Sequence, residues 1–233
     1  MKLVLKDIRK SFERKEVLKK INFEFEEGKI YGLLGRNGAG KTTLFNCINE
    51  DMELSDGTFY LQESNKKIKA KPEDIGYVMS IPVVPKFLTG REFLKFFIDI
   101  NNEKVTNLKT EDEYFDMINI EKEDRDKLIN DYSLGMQNKM QMIVNIMFNS
   151  KVLLLDEPLT SLDVVASEEM KDILKKIKKE HIIILSTHIM DLALNLCDEI
   201  VLLNNGILEK VDRNDLDDTE FKDKIINVLK EEK

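Results

Sequence analysis

Gly35-Arg36-Asn37-Gly38-Ala39-Gly40-Lys41-Thr42 is the stretch on which the reading of this chain turns. It fits the pattern G-x-x-x-x-G-K-[ST] at every fixed position. It also lies between an apolar run at 30–34 that reads as a strand and a segment from about Lys41 that reads as a helix. A phosphate-binding loop requires that setting. Its glycines let successive backbone N–H groups turn inward on an anion, and the helix N-terminus adds the positive end of its dipole. Lys41 supplies a mobile cation toward the terminal phosphates, and the Thr42 hydroxyl is a candidate magnesium ligand. The plain alternative, a glycine-rich turn with an incidental lysine, is disfavoured by the strand and helix on either side.

A second stretch completes the chemistry. Val152-Leu153-Leu154-Leu155-Asp156-Glu157 ends a wholly apolar strand on two adjacent carboxylates, and buried charges there are costly unless they meet a cation or a substrate. Asp156 suits a magnesium contact. Strand alternation sends Glu157 to the opposite side of the chain, where a carboxylate can orient or deprotonate an attacking water. Taken alone, an acidic strand end meeting solvent explains the pair equally simply; joined to the phosphate loop, the catalytic reading is preferred.

Working outward, Leu3, Leu5 and Ile8, then Ile21, Phe23 and Phe25, alternate with polar residues before a turn at Glu27-Gly28. This predicts an antiparallel piece. A second strand group is expected at 57–61 and 75–79. Between about 89 and 150 the strand signals stop. Phe93, Phe96 and Phe97, and later Met136, Met140, Ile143 and Met147, recur at helical spacing, which predicts a helical subdomain at about 82–150. A strand at 152–155, a helix at about 163–179, a strand at 182–185, a short helix after His188 and strands near 200–203 and 206–210 follow. That alternation predicts a mainly parallel core sheet, and hence a P-loop α/β fold with an N-terminal antiparallel β-subdomain and an inserted helical subdomain. Phe221, Ile225, Ile226 and Leu229 predict a helical tail at about 212–233, and residues 1–233 read as a single domain.

Composition sets the bounds. The 233 residues are 42% hydrophobic and 34% charged, the balance of a globular protein, and 36 basic against 44 acidic side chains leave a net charge of -8. Nucleic acid is not an expected partner: the totals are acidic, and the lysines at 66–67 and 175–179 have no interleaved aromatic residues. The apolar runs at 152–155 and 182–185 are only four residues long, against about 20 for a membrane-spanning helix. The charged first seven residues lack the apolar centre of a secretory signal, so a cytoplasmic location is expected. Cys47 and Cys197 show no metal or disulfide spacing and are expected to be buried thiols.

Together these residues resemble the ATP-binding subunits of ABC transporters over nearly the whole chain. Asp156-Glu157-Pro158-Leu159-Thr160-Ser161-Leu162-Asp163 is similar to that family's Walker B and D-loop, Ser186-Thr187-His188 to its switch histidine, and Tyr132-Ser133-Leu134-Gly135-Met136 to its signature motif. The resemblance implies an ATPase that binds ATP through Gly35, Arg36, Asn37, Gly38, Ala39, Gly40, Lys41, Thr42 and Thr43, with Phe12 stacked on adenine. It implies magnesium at Thr42, Asp156 and Ser80, and catalysis by Glu157 and His188. Ser133, Gly135 and Asp163 would serve the nucleotide of a second such subunit in a head-to-tail dimer. The partners implied are that second subunit, as a homodimer, and an integral membrane transporter subunit on whose cytoplasmic face the chain sits.

Simpler readings stand beside these roles. Ser133 is also an ordinary helix N-cap, His188 a core or cap histidine, and Phe12 a packing residue. The chain departs from the family pattern at Ser80, where glutamine is usual, and at Leu134 and Met136. The Tyr-Ser-x-Gly-Met form resembles that of certain bacterial export systems, which implies export. The rivals are an ABC ATPase that works without a transporter, as a mechanical or assembly factor, and a module that holds ATP without hydrolysing it.

Overall fold

A computed structural model describes residues 1–13, 15–101, 109–160, 162–211 and 225. The tail expected at 212–233 lies outside the described residues except for Ile225. The chain divides into two compact units. One holds Met1–Tyr77, Lys151–Glu157 and the described residues from Lys178 on; the other holds Val78–Ser150 and Pro158–Ile177.

The first unit is built on two sheets. Its elements run β1 (Lys2–Phe12), β2 (Lys15–Glu26), β3 (Ile30–Leu34), α1 (Lys41–Ile48), β4 (Asp56–Glu63), β5 (Lys66–Ile68) and β6 (Ile75–Val78). In the second unit follow α2 (Gly90–Ile100), α3 (Glu111–Met117), α4 (Leu134–Met147) and, after β7 (Val152–Asp156), α5 (Val164–Ile177). Back in the first unit come β8 (Ile182–Thr187), α6 (Met190–Leu196), β9 (Glu199–Asn204) and β10 (Ile207–Val211). One sheet is antiparallel, in the order β2-β1-β4-β5; the other runs β10-β9-β3-β8-β7-β6. In the latter β3 pairs in parallel with β8 and β9, and β7 with β8, while β10 returns antiparallel.

The mainly parallel core and the antiparallel N-terminal piece are therefore present. The strand group expected at 57–61 and 75–79 is divided: β4 pairs with β1 in one sheet, and β6 lies at the edge of the other. Apolar patterning reports that a segment is extended, not which neighbour it will choose.

Strands β3, β7 and β8 are buried along their whole length, as strands covered on both faces must be, and so carry near-continuous Ile, Leu and Val. Their side chains join Leu3, Leu5, Ile8 and Phe25 of the antiparallel sheet and Phe45 of α1 in one core. Two glycines permit close approaches there. A Cβ at Gly32 would stand 2.9 Å from the Cys197 Sγ and 3.1 Å from the Ala193 Cβ, so glycine lets α6 lie against β3. Asn205 and Gly206, at φ 48° and 80°, form the two-residue turn between β9 and β10, the geometry that suits a hairpin's twist. The Gly206 carbonyl accepts the Lys19 N–H at 2.7 Å, and a Cβ there would meet the Val17 carbonyl oxygen at 2.6 Å. The turn thus locks onto β2. Both cysteines are buried, as expected.

In the second unit the helices start on explicit caps. Thr89 with Glu92 and Thr110 with Glu113 form reciprocal capping boxes for α2 and α3. Buried Arg125 ties α3 down through Asp112 and Asp116. The helix expected at 163–179 is α5 followed by a 3-10 turn at Lys178–Glu180. Because α5 packs on α4, the helical unit is wider than the expected 82–150. A Cβ at Gly135 would lie 2.8 Å from the Ala166 Cβ, and Lys139 on α4 pairs with Glu169 on α5 at 2.7 Å. Among the described residues, no helix is long and apolar enough to cross a membrane.

Candidate nucleotide site

The loop leaves β3 at Gly35 and enters α1 at Lys41. Gly38 and Gly40 hold φ of 77° and 107°, conformations that cost other residues on the order of 1 kcal/mol or more. At Gly40 a side chain would also strike Val17, 2.9 Å from the added Cβ. Gly40 is the N-cap of α1 and makes no side-chain cap, and no acidic residue occupies the first turn. A helix start normally draws a capping oxygen or a carboxylate to its orphan N–H groups. Here that demand is left to an anionic ligand.

Lys41 is 6% exposed, and its ammonium donates to the carbonyls of Gly35 at 2.7 Å and Arg36 at 3.3 Å. The cation is held against the loop that would bind phosphate. Arg36 and Ala39 are half-buried, whereas Asn37 and Thr42 are exposed. Thr43 follows Thr42 in the first turn of α1 and is half-buried.

Asp156, itself 6% exposed, accepts the Thr42 hydroxyl at 2.8 Å on one oxygen and the Ser186 hydroxyl at 2.6 Å on the other. A hydroxyl and a carboxylate oxygen side by side are hard donors of the kind Mg²⁺ takes when it also binds substrate phosphates, so these residues fit the ion. Tyr77 borders the same carboxylate. Its burial first, and then the charges of Asp156 and Asp51, push its phenol above the ordinary value.

Glu157 departs from the expectation that it points away from Asp156. The strand ends at Asp156, and Glu157 takes the left-handed region at φ 49°, so strand alternation no longer governs it. Its carboxylate comes within 3.5 Å of the Lys41 ammonium and 3.0 and 3.1 Å of the His188 Nδ1. Both carboxylates thus reach the phosphate loop.

The structure therefore brings Lys41, Thr42, Asp156, Glu157 and His188 into one connected cluster within the first unit. Phe12 ends β1 in that unit, paired with Lys15 across the hairpin; its ring is 42% exposed with the Lys10 ammonium 5.0 Å from its centre. That exposure removes the packing explanation. Ser80, Ser133, Gly135 and Asp163 belong to the second unit. There Ser133 caps α4 by accepting the Met136 N–H at 3.2 Å, and Asp163 caps α5 by accepting the Ala166 N–H at 2.9 Å. Ser80 is exposed, one residue after Met79, whose N–H and carbonyl are both spanned by the amide of buried Gln141.

Ser186 is the residue that sequence reasoning quoted beside His188 but gave no role of its own. Its signal was present: a hydroxyl directly following the apolar run 182–185, on a strand of the same sheet as Asp156. Sequence does not give the parallel register that sets Asp156 opposite Ser186.

A family model described as ABC transporter matches residues 18–160. The chain is 31% identical over 229 residues to the ABC transporter ATP-binding protein YhcH of Bacillus subtilis (strain 168), covering 91% of this chain and 73% of that protein. It is also 31% identical to the bacitracin transport ATP-binding protein BcrA of Enterococcus faecalis, over 90% of this chain and 69% of that one. Among solved structures, a nucleotide-free ATP-binding cassette from an ABC transporter superposes with a TM-score of 0.81 over 100% of both chains at 19% identity, a likeness of fold.

Proposed function

Since the chain belongs to the ABC transporter ATP-binding family, we propose that it hydrolyses ATP, with magnesium, to drive export through a separately encoded membrane-spanning component. The observation that carries this is the cluster in which Lys41 pairs with Glu157, Glu157 meets His188, and Asp156, bonded to Thr42, joins Glu157 through Ser186.

In this reading the uncapped start of α1 and the loop amides bind the phosphates, and Lys41 neutralises them. Magnesium, held by Thr42 and Asp156, would offset phosphate charge. Ser80 is assigned to the same ion. Glu157 orients the attacking water or takes its proton, and His188, within hydrogen-bond reach of both its carboxylate oxygens, keeps it aimed. Phe12 offers an exposed ring to the adenine. Catalysis then rests on positioning and on charges already in place.

Ser133, Gly135 and Asp163 are assigned to the nucleotide of a second copy, which makes the working unit a homodimer on the cytoplasmic face of the membrane subunit. Export is favoured by the form of the signature segment, Tyr132 to Met136. In the test, Lys41→Ala loses ATP binding, whereas Glu157→Gln keeps binding and loses turnover by about 10²-fold or more. Binding that survives Lys41→Ala, or turnover that survives Glu157→Gln, overturns these roles.

A further inference from the structure

Ser186 has no part in the roles above, yet it bonds to both acidic residues of the site, to the carboxylate of Asp156 and to the backbone of Glu157. It is fully buried, with 0% of its surface exposed. Its hydroxyl donates to Asp156 Oδ1 at 2.6 Å and accepts the backbone N–H of Glu157 at 3.0 Å. We propose that Ser186 is a positioning residue for hydrolysis, one hydroxyl that fixes at once the carboxylate of Asp156 and the backbone turn that aims Glu157. The inference rests on the hydrolytic reading given above.

The polarity of the two bonds is forced. A serine hydroxyl has one proton to give and lone pairs to receive with. The carboxylate can only accept, and the amide can only donate. With Oδ1 of Asp156 occupied by Ser186, Oδ2 is left to Thr42 at 2.8 Å, so the serine decides which carboxylate oxygen faces the phosphate loop.

The second bond acts on shape. Glutamate is disfavoured at φ 49°, and such a conformation persists where its surroundings over-determine it. The bond from the Glu157 amide to Ser186 is one such constraint. From this turn, and not from a continued strand, the Glu157 side chain reaches Lys41 and His188. The strand register supplies the placement: Asp156 of β7 lies directly opposite Ser186 of β8, so a serine at the end of an otherwise apolar strand meets both residues at once.

A buried serine that merely satisfied its own hydroxyl would leave the rate untouched in any variant that still folds and binds ATP. Three variants separate the two roles. Ser186→Ala is expected to keep ATP affinity within about threefold, measured by calorimetry, while kcat falls by about 10- to 100-fold. Ser186→Thr, which retains the hydroxyl, is expected to recover the rate to within about fivefold of wild type. Should Ser186→Ala fail to fold in a thermal melt, Ser186→Cys, similar in size but a weak donor, is read for the same split between kcat and affinity.

A crystal structure of the alanine variant supplies a readout independent of turnover: Glu157 leaves the left-handed region, or its carboxylate leaves Lys41 and His188. Wild-type kcat in Ser186→Ala with Glu157 unmoved overturns the proposal, and a simultaneous loss of rate in Glu157→Gln leaves the hydrolytic reading standing. A wild-type protein without turnover overturns that reading instead, and the position of Glu157 in the Ser186→Ala structure then decides the geometric claim.

Discussion

At the scale of single residues, the two carboxylates differ in how they are held. Asp156 has a hydroxyl on each oxygen, whereas Glu157 shares its charge with a lysine ammonium and an imidazole. The first arrangement suits a fixed ligand and the second a group that must meet water and move a proton. Ser80 gives a contrasting case, an exposed hydroxyl two side-chain carbons shorter than the glutamine usual in the family. Ser80→Gln is expected to change turnover, or its coupling to the membrane partner, while ATP affinity stays within about twofold, because the phosphate loop supplies most of the binding contacts. Steady-state hydrolysis with and without the partner, beside a binding titration, checks this; an identical rate in both settings removes Ser80 from the site. The phosphate loop was legible at this scale because its chemistry is local and contiguous. The aim of Glu157 was not, because a left-handed residue ends the alternation from which its direction was inferred.

At the scale of elements, the junction of β1, β2 and β3 is held by charge. Glu26, at the end of β2, accepts from Lys29 at 2.7 Å and lies 3.1 Å from Lys2. Hydrogen bonds from Lys29 and then Lys2 hold its carboxyl down to about 2, against an ordinary 4.5. The folded value is the lower one, so this contribution is complete above 4.5 and is lost as pH falls toward about 2. Water screens the group, so the effect stays under about 1 kcal/mol. Thermal melts between about pH 5 and about pH 2.5 are expected to fall more steeply for wild type than for Glu26→Gln; parallel slopes would place the acid sensitivity elsewhere. Burial opposes the same direction of shift at neighbouring Glu199, but its bonds from Lys29 and Lys210 prevail. The elements themselves were readable where apolar spacing repeats, as at Phe93, Phe96 and Phe97 of α2 and at Met136, Met140, Ile143 and Met147 of α4. The strand order was not readable, since β3 sits between β8 and β9, far apart from it in sequence.

For the whole molecule, the division of labour proposed above predicts a second copy. Lys41 and Glu157 belong to one unit of the chain and Ser133, Gly135 and Asp163 to the other, and the latter group is assigned to a partner's nucleotide. Each copy carries a net charge of -8, so bare association is opposed by repulsion that salt relieves. With ATP, Glu157→Gln is expected to accumulate as a dimer by light scattering, more readily at moderate ionic strength or with the membrane component present. An assembly that keeps a single ATPase subunit under those conditions rules out the homodimer. The division into an α/β unit and a helical unit was foreseen from periodicity. The assignment of α5 to the helical unit was not, because it depends on Gly135 and Ala166 lying close enough to touch.

The two buried thiols carry a consequence of their own. Cys47 closes the last turn of α1, the helix that begins at Lys41, and Cys197 caps α6 where it presses on Gly32 of β3. These are the only two cysteines in the sequence, and both fall in the α/β unit. Burial hides Cys47 and also raises its thiol above the ordinary value, so an alkylating reagent finds it neither reachable nor ionised until the structure opens. Modification at each therefore becomes a stopwatch on local opening at the two flanks of β3, one of them set by the helix that grips the nucleotide, with no contribution from the helical unit.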